Sequence, residues 1–121
     1  MVAILKALCL FLVLVRVNGQ CALSNLDVNQ YNTGRQEKGY SIFFVSIINK
    51  CPQLCVQSNV KLNCTGFQTA KSISPTILSV SGDVCLVKSG QPITPDAAVN
   101  FQYAWSNEFP LNPISSDVHC A

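Results

Sequence analysis

Cysteine is the residue type in this sequence with the widest range of possible chemical roles. Cys51, Cys55 and Cys64 all lie within the stretch NKCPQLCVQSNVKLNCTGFQTA. Closely spaced cysteines usually bind a metal, catalyse redox reactions or form structural disulfides. Zinc sites favour two close pairs of Cys or His, but only Cys51 and Cys55 are close here, and His119 is the single histidine. A redox site normally has Cys-x-x-Cys beside a βαβ pattern, and neither occurs. We therefore predict structural disulfides, with no metal site and no cofactor.

The N-terminus has the features of a secretory signal peptide. An apolar run at residues 7–15 follows Lys6 and is followed by Arg16, with Val17 and Gly19 at the −3 and −1 positions of a cleavage site. The alternative is a membrane anchor, but a spanning helix needs about 20 mostly apolar residues. We predict a signal peptide over residues 1–19, a secreted domain over residues 20–121, and no membrane insertion after cleavage.

Removal of the signal peptide changes the charge and the cysteine count. Six basic and six acidic residues remain, so the net charge is near zero, and no basic block suggests nucleic acid as a partner. The number of cysteines becomes even, as a fully paired framework in a small secreted domain requires. Fifteen pairings of the six remain open. The predicted disulfide cysteines are Cys21, Cys51, Cys55, Cys64, Cys85 and Cys120.

The secreted part of the sequence has the pattern of short β-strands. Residues 40–49 are rich in β-branched and aromatic side chains, which predicts a central strand buried on both faces. Residues 59–64 and 99–105 alternate, and SGD separates the apolar runs TILSV and VCLV. Residues 29–39 are polar with glycines, which predicts an exposed loop. We predict one all-β domain, a small antiparallel β-sandwich stapled by disulfides.

The catalytic residue types are too sparse to predict an enzyme. His119 is the only histidine, and the six carboxylates are scattered among predicted turns. The sequence contains no Gly-x-Ser-x-Gly elbow. A carboxylate pair like that of a glycosidase depends on spatial proximity, so it stays an alternative at this stage. We expect binding rather than catalysis.

One sequence motif indicates a covalent modification. Asn63, Cys64 and Thr65 form an N-glycosylation sequon. Strand alternation directs Asn63 away from the face that carries Cys64. Rapid oxidation of Cys64 could compete with glycosylation, so two outcomes stay open for Asn63.

The aromatic face of residues 99–105 has two interpretations. Val99, Phe101, Tyr103 and Trp105 share one face of a predicted strand. Such a row could stack on sugar rings, but an aromatic stripe of period two more often faces the inside of a sandwich. Sugar binding would require Trp105 and either Tyr31 or Tyr103 to be exposed and coplanar.

The cysteine frame and the segments between the cysteines resemble the plant tapetum determinant family of small secreted proteins. The resemblance rests on the runs SIINKCPQLCVQSNVKLNCTGFQTA, SPTIL, CLVKSGQPI and VNFQYAWSNEFPLNPISSDVHC. It implies a ligand in the apoplast, bound by a leucine-rich-repeat receptor kinase in cell-fate or reproductive development. Trp105 and Phe109 are then the candidate binding surface, although Phe109 could equally pack against Pro110. The C-terminal half also resembles, more weakly, the β-sandwich modules of plant cell-wall enzymes. A cell-wall glycan-binding module is therefore the alternative function.

Overall fold

The computed structural model describes residues 21–52 and 54–121 as an antiparallel all-β sandwich. The predicted fold class is confirmed, whereas the predicted signal peptide at residues 1–19 lies outside the described residues. Two short 3-10 turns, Leu23–Asn25 and Lys88–Gly90, accompany the strands. The strands are β1 (Leu26–Glu37), β2 (Tyr40–Asn49), β3 (Cys55–Asn63), β4 (Leu78–Ser81), β5 (Val84–Val87), β6 (Val99–Trp105) and β7 (Asn112–Cys120).

The strands form one sheet of three strands and one of four. The three-stranded sheet has the order β1-β2-β6, with Phe43 of β2 paired to Tyr103 of β6. The four-stranded sheet has the order β4-β5-β3-β7. The chain passes from the first sheet to the second between Asn49 and Cys55, so β2 and β3 connect the two layers.

Apolar side chains from the facing sides of the two sheets form the core. Alternate residues of β2 point inward, and Val45 and Ile47 are fully buried. Val60 and Leu62 of β3 meet them from the other sheet and are also fully buried. Burial of each such side chain contributes about 1.5–3 kcal/mol before the entropy cost of ordering it. The opposite face of β2 is only half-buried, so the prediction of a strand buried on both faces is wrong on this point.

The stretch predicted as a loop at residues 29–39 is mostly strand, which is a further correction. Strand β1 extends to Glu37 and pairs with β2 along its length, interrupted by a bulge between Asn32 and Gln36. Only Lys38 and Gly39, both with positive φ, form the turn into β2. Polar residues are tolerated in β1 because it is an edge strand with few buried side chains. Its hydrogen bonds come from the apolar strand β2, which a local sequence pattern does not include.

Two buried amide side chains connect the sheets beside the first disulfide. Gln57 of β3 donates from Nε2 to the carbonyl oxygen of Ala22 at 3.0 Å and accepts from Oγ of Ser116 at 2.6 Å. Asn49 of β2 donates from Nδ2 to the carbonyl oxygen of Ile93 at 2.9 Å. Gln57 Nε2 also lies 3.3 Å from Asn49 Oδ1. Both amides are at most 1% exposed, so these bonds prevent the cost of burying an unpaired polar group.

The six cysteines form three disulfides, as expected of the even count. Cys21–Cys51 attaches the N-terminal segment to the end of β2, and Cys55–Cys120 joins facing residues of β3 and β7. Cys64–Cys85 joins the end of β3 to β5. In the chain-entropy model, loops of 30, 65 and 21 residues give stabilisation of about 3–4 kcal/mol each.

A bulge in β3 brings the side chain of Asn59 close to Gly90. Asn59 has φ of 49°, and the register with β7 shifts between Ser58 and Lys61. Its Nδ2 donates to Oδ2 of Asp117 at 2.7 Å, which holds the amide in place. A Cβ atom added at Gly90 would lie 2.6 Å from Asn59 Oδ1. The site therefore needs glycine for both space and conformation, because φ of Gly90 is 81°.

Substitution of Gly90 tests this close approach. Gly34 is a matched control because it also has φ of 81° but has nothing within 4 Å of the added Cβ. We expect Gly34→Ala to lower the free energy of unfolding by about 1 kcal/mol and Gly90→Ala by roughly 2 kcal/mol or more. Urea unfolding with a common m value measures the difference. Equal losses in the two variants would contradict a steric role for Asn59.

Differences in burial predict the order in which the disulfides are reduced. Cys64 and Cys85 are at most 1% exposed, whereas Cys21 and Cys120 are half-buried. A thiolate must reach a sulfur atom to exchange with it, so under native conditions we expect Cys64–Cys85 to be reduced last. Limited reduction, alkylation and peptide mass spectrometry give the order. Early alkylation of Cys64 in the folded protein would contradict this expectation.

Candidate functional site

The two residues predicted as a binding surface, Trp105 and Phe109, lie at and just beyond the same end of β6 but have different surroundings. Trp105 is the last residue of β6, and Phe109 follows after the exposed residues 106–108. Both side chains are half-buried and pack against the core. The structure does not bring them together in one aromatic patch, because each contacts a different aromatic partner.

Trp105 joins the exposed loop to the β1–β2 turn. Its ring stacks on that of Tyr40, with centroids 4.8 Å apart and planes inclined by 10°. Ser41 is the residue of β2 that faces Trp105 across the sheet. Residues 38–40 and 105–108 therefore lie side by side, and we call them the hairpin end of the three-stranded sheet. Antiparallel pairing creates this neighbourhood, because β2 begins where β6 ends.

A ring of three hydrogen bonds fixes the backbone of Phe109. The Tyr103 hydroxyl donates to Oε1 of Gln30 at 2.7 Å and accepts from the Phe109 amide at 3.0 Å. Gln30 Nε2 in turn donates to the Phe109 carbonyl oxygen at 2.7 Å. The ring links β1, β6 and the loop that follows β6. Residues 106–108 are thus held on one side by Trp105 and on the other by Phe109.

The side chain of Phe109 belongs to an aromatic cluster. Its ring centroid lies 5.2 Å from that of Phe67 and 5.7 Å from that of Tyr103. Phe67 also meets Tyr103 edge-on at 5.2 Å. Phe109 thus has the packing role that the sequence left open, with Phe67 and Tyr103 as its ring partners. The roles of Gln30, Tyr40 and Phe67 are not evident in the sequence, since only the tertiary structure places them here.

The Tyr103 hydroxyl is a weak acid in this setting. The side chain is fully buried, and burial raises the pKa of Tyr103 to about 12. The Phe109 N–H opposes the shift by stabilising the phenolate, while the negative charge of Glu108 adds to the upward shift of the pKa. The neutral phenol therefore persists well above neutral pH and keeps both of its hydrogen bonds.

Tyr103 and Trp105 do not form a sugar-stacking platform. Tyr103 is 0% exposed and Trp105 stacks on Tyr40, so these two rings offer no common exposed plane. Tyr31 is 59% exposed but packs against Phe44 at an inclination of 34°. Val99, Phe101 and Tyr103 all face the core, which confirms the interpretation of this face as packing.

Residues 21–52 and 54–121 contain no group of three or more His, Cys, Asp or Glu residues placed to hold a metal ion. No helix within them is long and apolar enough to cross a membrane. Asn63, the predicted glycosylation site, is exposed at the end of β3.

Substitution of Tyr103 should change the stability at high pH. Its pKa is raised from 10.0 to about 12 in the fold, so the unfolded chain loses its proton first and stability falls as pH rises above 10. The loss reaches about 1.4 kcal/mol at pH 11. We expect Tyr103→Phe to cost about 1–3 kcal/mol at neutral pH but to remove this pH dependence.

Exposed Tyr31 supplies the control for that measurement. Tyr31→Phe should retain both the neutral stability and the decrease between pH 10 and 11. Urea unfolding at several pH values distinguishes the two variants. A decrease of the same size in Tyr103→Phe would show that another group causes it.

Comparison with known proteins identifies relatives over most of the chain. The family model described as "Tapetum determinant 1, C-terminal" matches residues 22–121. "TPD1 protein homolog 1" of Arabidopsis thaliana is 29% identical over 101 residues, 83% of this chain and 56% of its own length. "TPD1 protein homolog 1B" of Oryza sativa subsp. japonica is 35% identical over 92 residues, 75% of this chain and 54% of its own.

Another relative is an uncharacterized protein of Arabidopsis thaliana. It is 36% identical over 81 residues, which are 64% of this chain and 62% of the relative. The chain therefore spans little more than half the length of the curated relatives it matches. No solved structure gives a significant match. Because the family model covers residues 22–121, most of the chain, the chain belongs to the tapetum determinant family.

Proposed function

We propose that this protein is a secreted signalling ligand, recognised by the ectodomain of a plant leucine-rich-repeat receptor kinase in cell-fate or reproductive development. Membership of the tapetum determinant family supports the developmental role. Three disulfides in a small domain support an extracellular location, because such bonds persist in oxidising compartments. The protein then acts by binding in the apoplast and not by catalysis.

The hairpin end of the three-stranded sheet is the contact surface in this proposal. The observation that carries it is that two segments distant in sequence are fixed side by side by the Tyr40–Trp105 stack. The ring through Tyr103 fixes the far end of the second segment at Phe109. A surface ordered before binding loses little conformational entropy when a partner docks.

The side chains at the hairpin end suit a protein interface. Trp105 and Tyr40 are half-exposed, and tryptophan and tyrosine often dominate binding energy. Lys38 and Glu108 are exposed beside them, and Arg35 lies nearby in the β1 bulge. Charges of both signs at the rim favour orientation of the partner rather than general attraction to a charged surface.

Calorimetry with a purified receptor-kinase ectodomain tests the proposal. We expect saturable binding of the oxidised protein, secreted from the full-length chain, and no binding after reduction and alkylation. Trp105→Ala should weaken binding by roughly 10- to 30-fold, since an aromatic hot spot contributes about 2 kcal/mol.

Leu54→Ala is the matched control. Leu54 is 67% exposed and lies at the opposite end of the sandwich, about 30 Å away along ten residues of β2. This variant should bind within about threefold of the original affinity. Equal losses of affinity in both variants would show that the contact does not lie at the hairpin end. If the folded, oxidised protein does not bind the ectodomain, a receptor of this type is not its partner.

A further inference from the structure

Asn63 occupies a position in the fold that suits an attached sugar. It is exposed on the outer face of the four-stranded sheet, at the end of β3. Its Oδ1 accepts hydrogen bonds from the Thr65 amide at 3.1 Å and the Thr65 hydroxyl at 2.6 Å. Its Nδ2 makes no hydrogen bond with any other described residue. The folded chain thus pairs the two sequon side chains and leaves the acceptor nitrogen accessible.

The neighbouring disulfide does not block this position. Successive residues at the end of β3 point to opposite faces, so Cys64 is 1% exposed and bonded to Cys85 while Asn63 faces outward. A sugar on Asn63 therefore needs no rearrangement of the folded core. Formation of the Cys64–Cys85 bond before the transfer is the competing event, so occupancy depends on which reaction occurs first.

A shallow groove begins next to Asn63 on the same face. Asn63 is paired directly with Val84, and Lys61, the next residue of β3 on the same face, is paired with Leu86. The groove is lined by Lys61, Val84 and Leu86 together with Ser79 and Ser81 of β4. Val84 and Leu86 are half-exposed, so apolar surface and hydroxyl groups lie together where a chain attached to Asn63 would run.

We propose that Asn63 is N-glycosylated and that its glycan covers this groove on the four-stranded sheet. The donor is a lipid-linked oligosaccharide. Nδ2 forms a bond to C1 of the first sugar, the C1–O bond to the lipid pyrophosphate breaks, and the pyrophosphate leaves with the electron pair as the amide loses one proton. The apolar face of the first sugars packs on Val84 and Leu86, and their hydroxyl groups bond to the serines.

The consequence concerns the direction from which a partner approaches. A glycan over the β4–β5–β3 face closes it to another protein, which leaves the three-stranded sheet and its hairpin end open. This inference rests on the secretion contained in the proposed function, because the transfer takes place in the secretory pathway. Its test uses a readout that does not involve the receptor.

Intact-mass spectrometry of protein secreted by plant cells tests the modification. We expect a form heavier than the polypeptide that loses its extra mass on treatment with an amidase for N-glycans, with conversion of Asn63 to Asp. Thr65→Ala should abolish this form and Thr65→Ser, which retains the sequon, should keep it. Secretion of only the unmodified polypeptide would overturn this proposal but leave the ligand function intact. Failure of the chain to enter the secretory pathway would overturn both.

Hydroxyl-radical footprinting tests where the glycan lies. We expect Val84 and Leu86 to be oxidised severalfold more in Thr65→Ala than in Thr65→Ser. Ile48, half-exposed on the other sheet, should be oxidised equally in the two variants. Equal oxidation of Val84 and Leu86 in both variants would show that the glycan extends into solvent and leaves the groove open.

Discussion

The fold depends on a buried polar contact between its two sheets. Asn49 and Gln57 lie in the layer that otherwise holds apolar side chains, and neither could be buried there without the other and the surrounding carbonyl groups. This contact fixes the strand register, because a shift of β3 by one residue would replace Gln57 with Val56 or Ser58 and leave buried amides unpaired. The Cys21–Cys51 bond lies at the same place, with Sγ of Cys51 3.3 Å from Gln57 Nε2. Covalent and polar constraints therefore act on the same end of the sandwich.

The opposite end is stabilised by a different polar group with a similar effect. The hydroxyl of Tyr103 joins Gln30 and Phe109 where the loop leaves β6. Phe43, Phe67 and Phe109 pack against the Tyr103 ring, and the side chain is fully buried, so its hydrogen bonds are shielded from competing water. Hydrogen bonds thus stabilise both ends of the sandwich. The exposed loop at residues 106–108 has no secondary structure of its own, but the bonds of Gln30 and Tyr103 to Phe109 attach it to the core.

The sequence predicts the parts of the fold whose information is local. The alternation of Val99 to Trp105 gives the bounds of β6, and the SGD turn gives the β4–β5 hairpin. Cysteine parity predicts three disulfides but not their pairing, which depends on β3 lying between β5 and β7. Strand β1 is the clearest failure, because its polar residues resemble those of a loop and its pairing with β2 is not visible in its own residue pattern. The candidate site shows the same limit. Trp105 can be recognised from the sequence as an aromatic residue beside a polar loop, but its contact with Tyr40 depends on tertiary structure.

Phe109 shows how packing partners change the meaning of an aromatic residue for function. In sequence it resembles Trp105, since both are aromatic and flank a polar loop. In the fold the Phe109 ring packs with Phe67 and its backbone closes the Tyr103 ring, so the residue supports the loop and is not its contact point. Trp105 is half-buried as Phe109 is, but its ring stacks on Tyr40, which is itself half-exposed at the β1–β2 turn. In the proposed ligand function, contact with a partner therefore falls to Trp105 and the polar residues 106–108, and Phe109 contributes by limiting the conformations they can adopt.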